Sequence, residues 1–222
     1  AVTPAGGRGM RLRPLTNELP KPLLPVGRKP ILRHILENLE EEGVNRALIL
    51  TGYKGDLIEE TIGHSVGGLQ IEYLRETVPL GSAGCVKSAE GRLEERFFVV
   101  CGDAYGRRDY KGFFRQHIEK GSKASLLLYR VEDPGEYGLW KRRKTDGFSA
   151  LWRSLFGPRS FQTRRIPAFI FWKRSCLKRF LRGSPTISAP PFFPFYRKRA
   201  FLFTVLRMAD SGAMWAIGGR TF

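Results

Sequence analysis

The chain has 222 residues, 42% of them hydrophobic, with three Cys and a net charge of +17. That length suits one sizeable core or a domain with an appendage, and no apolar run is long enough to span a bilayer or to serve as a secretory leader. Cys85, Cys101 and Cys176 are odd in number and lack metal-ligand spacing, which argues against a disulfide frame and for packed thiols in a reducing cytoplasm.

In chain order, Val2 belongs to the remnant of an apolar strand, and a chain that starts inside it without a Met is expected to lack a residue or two. The stretch Ala5-Gly-Gly-Arg-Gly-Met-Arg-Leu-Arg-Pro-Leu-Thr16 follows, then Pro20-Lys-Pro-Leu-Leu-Pro-Val26 and Lys29-Pro30. Ile31, Leu32, Ile35, Leu36 and Leu39 recur at helical spacing up to a stop at Gly43. Residues 47–51 form a short apolar run fit for a strand buried on both faces. Asp56 is placed to cap a helix through Ile62, and residues 69–74 alternate like a strand. A helix is expected from Ser82 to about Gly91, a buried strand over 97–101, a helix from about Tyr110 to Lys120 and a strand over 124–130. Alternating strands and helices predict an α/β fold with a Rossmann-like, mostly parallel sheet covered by helices on both faces over residues 1–138. Pro4 suits such a sheet only where its strand leaves the ladder.

Ligands of such sheets bind beyond the carboxyl ends of the strands, where both the glycine stretch and Asp103 fall. Gly6, Gly7 and Gly9 leave the backbone free to curl so that successive N–H groups converge on an anion. Arg11 and Lys21 add fixed positive charge, one as a fork and one as a point charge. The stretch lacks the Gly-Lys-Ser/Thr ending of a Walker loop and the glycine spacing of a dinucleotide loop, and many glycine-rich loops are only tight turns. Asp103, after a buried strand and Gly102, reads either as a turn aspartate or as a hard oxygen ligand for magnesium. Asp109 reads as a helix cap or as its helper. His34, His64 and His117 share no spacing and read as structural or surface residues.

Residues 5–30 closely resemble the signature of the sugar-phosphate nucleotidyltransferases, G-G-x-G-[TM]-R-L-x-P-L-T followed by K-P-L-L-P-V. Val100-Cys-Gly-Asp-Ala104 looks like the family segment whose Asp binds metal, and Pro79-Leu-Gly-Ser-Ala-Gly84 looks like its base-holding P-x-G-[ST]-A-G. The resemblance, closest to mannose-1-phosphate guanylyltransferase-like members, implies in-line attack of a sugar 1-phosphate on the α-phosphorus of an NTP with Mg²⁺ bound. It implies nucleotide binding by Ala5, Gly6, Gly7, Gly9, Met10, Arg11, Glu76 and Gly81. Arg11, Lys21 and Asp103 would be catalytic, with Asp103 on the metal, and Tyr137 and Gly138 would line the sugar-phosphate pocket. A carboxylate at Glu76 can accept from both N1–H and N2–H of guanine, which favours GTP. The resemblance is compatible with a homo-oligomer and implies no membrane partner.

After Gly138 the family pattern stops. Residues 1–138 hold 20 Lys and Arg against 19 Asp and Glu, whereas residues 139–222 hold 18 against 2, with all four Trp and 12 of the 16 Phe. The uneven distribution argues against nucleic acid as the partner of the whole chain. The expected E-K-P, N-A-G-I-Y-x-L-E, P-Y-D-F-S and W-x-D-I-G are replaced by Lys141-Arg-Arg-Lys144, Pro190-Pro-Phe-Phe-Pro194 and Arg197-Lys-Arg199. The genetic code offers a reason. Displaced by one base, the codons of Phe171-Trp172-Lys173 spell Leu then Glu, and those of Phe169-Ile170 permit Tyr, so G-I-Y-x-L-E becomes readable. Residues 151–155 likewise permit V-E-K-P and residues 184–189 permit P-Y-D-F-S, while Trp215-Ala-Ile-Gly218 keeps W-x-D-I-G without its Asp. Residues 139–222 are therefore expected to be a frameshifted sugar-binding half. They should form an irregular, poorly specified segment lacking the E-K-P lysine and the second metal Asp, so this chain should turn over little. Two other readings stand beside this one. One is a non-catalytic nucleotide-binding or regulatory homologue, and the other is a nucleic-acid binder acting through the basic tail.

Overall fold

The computed structural model describes residues 1–121 and, beyond them, the strand residues 124–127, 129–130, 138–142, 148–153, 164–165, 169–173 and 203–206. In chain order the elements are β1 (Val2–Pro4), α1 (Leu15–Glu18), β2 (Pro25–Val26), β3 (Lys29–Pro30), α2 (Ile31–Glu41), β4 (Arg46–Thr51), α3 (Gly55–Ile62) and β5 (Ser65–Val66). Then come β6 (Leu69–Arg75), α4 (Gly81–Ser88), β7 (Arg96–Val100), α5 (Tyr110–Glu119), β8 (Ala124–Leu127) and β9 (Tyr129–Arg130). The last five are β10 (Gly138–Arg142), β11 (Phe148–Arg153), β12 (Arg164–Arg165), β13 (Phe169–Lys173) and β14 (Phe203–Leu206). Tyr137, Cys176 and the segments 154–155, 184–189, 190–194, 197–199 and 215–218, to which the sequence assigned roles, lie outside the described residues.

The apolar periodicity of α2 places Leu32, Ile35, Leu36 and Leu39 in the core, each no more than 2% exposed. Burying side chains of this size stabilises by about 1.5–3 kcal/mol each. Residues 47–51 of β4 are buried on both faces, as a central strand of a covered parallel sheet requires. The large sheet runs β14-β8-β13-β7-β1-β4-β6-β5. β7, β1, β4 and β6 are mutually parallel, and β8 is parallel to β14. β13, which falls in the segment expected to be irregular, pairs antiparallel with both β7 and β8 in this mostly parallel sheet. Its run Phe169-Ile-Phe-Trp172 is aromatic and β-branched, a composition enriched in strands. Among the described residues, no helix is long and apolar enough to cross a membrane.

Three local expectations are corrected. α3 is opened by Lys54 in the left-handed region (φ 51, ψ 39) and not capped by Asp56, which sits in the first turn and pairs with Arg75. α4 begins at Gly81 and ends at Ser88, with a 3-10 turn over Glu90–Arg92 carrying the chain on. The strand over 124–130 is divided into β8 and β9. Asp109 does cap α5, accepting from the Gly112 N–H at 2.6 Å. His34 Nε2 lies 2.9 Å from the Val26 carbonyl, and buried His117 has Nδ1 2.7 Å from Ser125 Oγ, so both are structural.

Candidate active site

β1 is flanked by β4 on one side and β7 on the other. The chain winds outward from β1 through β4 to β6, then returns to the far side of β1 as β7, so the strand order reverses between β1 and β7. In open sheets of this kind, ligands enter the crevice at such a reversal. Two segments leave the carboxyl ends there, the glycine stretch after β1 and Gly102-Asp103 after β7.

Backbone contacts hold these segments together. The Gly102 N–H donates to the Pro4 carbonyl at 2.9 Å, and the Ala5 N–H donates to Leu50 at 2.8 Å. Pro4, the last residue of β1, thus needs no N–H of its own, and buried Ala5 seals the strand end. A Cβ on Gly6 would lie 3.1 Å from the Gly52 nitrogen, so the loops after β1 and β4 meet backbone to backbone. Gly7 is exposed with open space around it. Gly9 adopts φ 62 and leads into a 3-10 turn over Met10–Leu12, which leaves Met10 57% exposed and Arg11 at the surface. Thr16, buried, donates through Oγ1 to the Gly9 carbonyl at 3.0 Å.

A Cβ on Gly9 would stand 2.9 Å from Thr16 Cγ2 in a left-handed backbone. Gly9→Ala is therefore expected to cost about 1–2 kcal/mol from the backbone alone. Thermal unfolding should register this as a lower midpoint, and nucleotide affinity should fall with it. An unchanged midpoint would mean the loop pose is not the one described.

Lys21 opens a second 3-10 turn, Lys21–Leu23, whose Pro22 and Leu23 are buried and fix its base. Its Nζ donates to Asp103 Oδ2 at 2.6 Å, the two side chains being 32% and 39% exposed. The fold thus joins residues 82 positions apart that the sequence had assigned to one site. A pair this open to solvent contributes only about 0–1 kcal/mol, so phosphate and a cation can displace it. Among the described residues no three His, Cys, Asp or Glu side chains gather into a metal cluster. One carboxylate beside a glycine-rich loop would suit Mg²⁺ arriving with a phosphate ligand, since Mg²⁺ binds through one or two carboxylates plus phosphates and water. Beneath it, burial and the Asp103 charge push the Cys101 thiol up to about 12, leaving it unreactive.

Glu76 follows β6, its N–H donating to the Thr51 carbonyl at 2.8 Å. Burial raises its carboxyl above the usual range, against hydrogen bonds from the Cys85 thiol and the Leu80 N–H that favour the charged form. Cys85 is itself buried and pushed up to about 12 by burial and by Glu76. Gly81 (φ 69) opens α4 directly after this turn. A Cβ on Gly84 would meet Leu80 Cβ at 2.9 Å, which gives the second glycine of P-L-G-S-A-G a packing reason. Gly138 begins β10, where it pairs with Arg153 of β11.

Sequence reasoning missed Tyr53 and Lys54. The Tyr53 hydroxyl lies 3.2 Å from the Thr16 carbonyl and 3.1 Å from that of Asn17, and Lys54 Nζ donates to the Glu18 carbonyl at 2.7 Å. Their position just past the carboxyl end of buried β4 was the available signal.

The nucleotidyl transferase family model matches residues 1–150. A D-glycero-alpha-D-manno-heptose 1-phosphate guanylyltransferase of Aneurinibacillus thermoaerophilus is 34% identical over 139 residues, 62% of this chain and 60% of that protein. A mannose-1-phosphate guanyltransferase of Yarrowia lipolytica is 31% identical over 204 residues, 90% of this chain and 56% of that one. The chain therefore spans a little over half the length of these relatives. Among solved structures, HddC of Yersinia pseudotuberculosis complexed with GMP-PN superposes with a TM-score of 0.66 at 26% identity, covering 81% of this chain and 79% of that one. The match to the family model takes in β1, the glycine stretch, the Lys21–Asp103 pair and the Glu76 turn alike, and on that ground the chain belongs to the nucleotidyl transferase family.

Proposed function

We propose that this chain derives from an enzyme that joins an NTP to a sugar 1-phosphate, giving a nucleotide sugar and pyrophosphate, with GTP and mannose 1-phosphate the favoured pair. The observation that carries the reading is the Lys21–Asp103 pair at 2.6 Å, set at the strand-order reversal beside the glycine stretch. Names of the relatives support the guanine and the sugar class. A phosphate oxygen of the sugar 1-phosphate attacks the α-phosphorus, a new P–O bond forms, and the bond to the bridging oxygen breaks with its electron pair leaving on pyrophosphate. No covalent protein intermediate is needed, so catalysis is positioning and charge neutralisation. Backbone N–H groups of residues 6–11 cradle the triphosphate, Arg11 neutralises the leaving phosphates, and Lys21 swings from Asp103 to a phosphate oxygen. Mg²⁺, where bound through Asp103, supplies charge neutralisation between phosphates.

Glu76 accepts the guanine edge only as a carboxylate. Its carboxyl is raised above the usual range by burial, so GTP affinity should be greatest above the raised value and fall as pH drops through it, sooner than for an ordinary carboxylate. A titration of GTP affinity against pH, run on Glu76→Gln in parallel, checks this. The variant should bind weakly at every pH, and a pH profile shared by both proteins would remove Glu76 from the base site.

We assign residues 139–222 to a frameshifted sugar-binding half, on the ordered recovery of three family motifs one base away. The chain as written then lacks the groups that hold the sugar phosphate. A second reading, an in-frame but diverged half, is favoured by the yeast match running over 204 residues. The coding DNA across codons 136–142 separates them, since an in-frame gene would align with its relatives without a gained or lost base. Release of pyrophosphate from GTP and mannose 1-phosphate with Mg²⁺, assayed on the frame-restored protein, tests the reaction itself. No release with any sugar 1-phosphate would leave only a nucleotide-binding homologue.

A further inference from the structure

We propose that Tyr53 and Lys54 are positioning residues for the phosphate loop, a strut from the end of β4 that holds the loop in the pose a triphosphate needs. The proposal rests on the nucleotide reading above.

The loop has no buried side chain of its own between Gly6 and Leu15, where Met10, Leu12 and Leu15 are 57%, 38% and 65% exposed. Its tie from Thr16 Oγ1 to the Gly9 carbonyl comes from α1, which itself needs support. Without an apolar anchor, the entropy of ordering these residues must be offset by polar ties. α1 has only four residues, too few to persist as a helix without outside support.

Tyr53 and Lys54 supply such ties at both ends. At the loop's entry, the Tyr53 N–H donates to the Gly6 carbonyl at 3.2 Å. At its exit, the Tyr53 hydroxyl proton is shared between the Thr16 and Asn17 carbonyls, and Lys54 Nζ takes the Glu18 carbonyl at 2.7 Å with the Glu18 carboxylate 3.9 Å away. These carbonyls end α1, where acceptors lack intrahelical donors and positive charge is favoured. The Lys54 ammonium also lies 5.8 Å from the Tyr53 ring centroid, so the two side chains travel together.

Strain points the same way. Lys54 is the one non-glycine residue with positive φ among the described residues. Asn or Gly would sit there with less strain, yet neither could reach Glu18. A strained residue whose side chain runs straight to a ligand loop argues for a functional constraint.

The test compares Tyr53→Phe, Lys54→Asn and Lys54→Arg in the full chain. Amide hydrogen exchange over residues 8–18 without nucleotide should rise about tenfold in Tyr53→Phe and Lys54→Asn, stay within about twofold in Lys54→Arg, and leave α2 unchanged. GTP with Mg²⁺ should bind about tenfold more weakly to the first two variants, while Lys54→Asn melts no lower than the parent because Asn tolerates the left-handed backbone. Unchanged exchange in Tyr53→Phe and Lys54→Asn would overturn the strut. So would faster exchange with GTP affinity equal to the parent's, or a loss that Lys54→Arg shares in full. Faster exchange in a chain that binds no GTP at all would uphold the strut and overturn the nucleotide reading instead.

Discussion

Asp103→Ala, made in the frame-restored protein, is expected to lower turnover about 10³-fold, the size seen when one preorganised charge is taken from a transition state. The side chain sits where the segment after β7 meets the glycine stretch, and its present partner is the Lys21 ammonium at 2.6 Å. Removing the carboxylate frees Lys21 but, on the proposed reading, takes away the anionic anchor for a phosphate-bound cation. Because the pair is partly exposed, its loss costs little stability, about 0–1 kcal/mol. Thermal unfolding should therefore hardly move while kcat collapses. Arg11→Ala should act similarly on turnover and should also weaken nucleotide binding. A fall in kcat matched by a fall in melting temperature would show Asp103 to be a structural turn residue.

The second large effect concerns the tail. If residues 139–222 are frameshifted as proposed, a single-base correction near codon 139 should raise turnover at least about 10³-fold, because orienting two reactants is worth about 7–11 kcal/mol of barrier and the shifted chain would supply only one half of that orientation. The correction should also bring one cooperative unfolding transition where the parent is expected to give a shallow one, since a shifted frame destroys the agreement between hydrophobic pattern and secondary structure. Equal activity before and after correction would mean that residues 139–222 are an in-frame half that has diverged.

Much of this architecture was legible in the sequence, and the reasons are local. Leu32, Ile35, Leu36 and Leu39 could only make one helical face, and residues 47–51 could only be a strand covered on both sides. Gly9 carried its own signal as a glycine in a loop that must curl, and its φ 62 with the close approach of Thr16 gives that glycine its reason. The Lys21–Asp103 pair was half legible. Asp103 was placed at a strand end and Lys21 among the fixed charges following the glycine stretch, but their meeting depends on β7 returning beside β1, which no local pattern encodes. β13 was passed over for a different reason, because residues 139–222 were expected to be irregular although the run Phe169-Ile-Phe-Trp172 has the composition of a strand. Lys54 was missed because a capping argument looks for Ser, Thr, Asn or Asp, and Asp56 satisfied it two residues late. What opens α3 there is backbone strain, and strain has no compositional signature.

The most direct test is a calorimetric titration of GTP into the frame-restored protein, with and without Mg²⁺, repeated on Arg11→Ala. Saturable binding that requires the cation and is lost in the variant is the predicted result. Binding that ignores both the cation and the arginine would contradict a triphosphate cradle between β1 and β7.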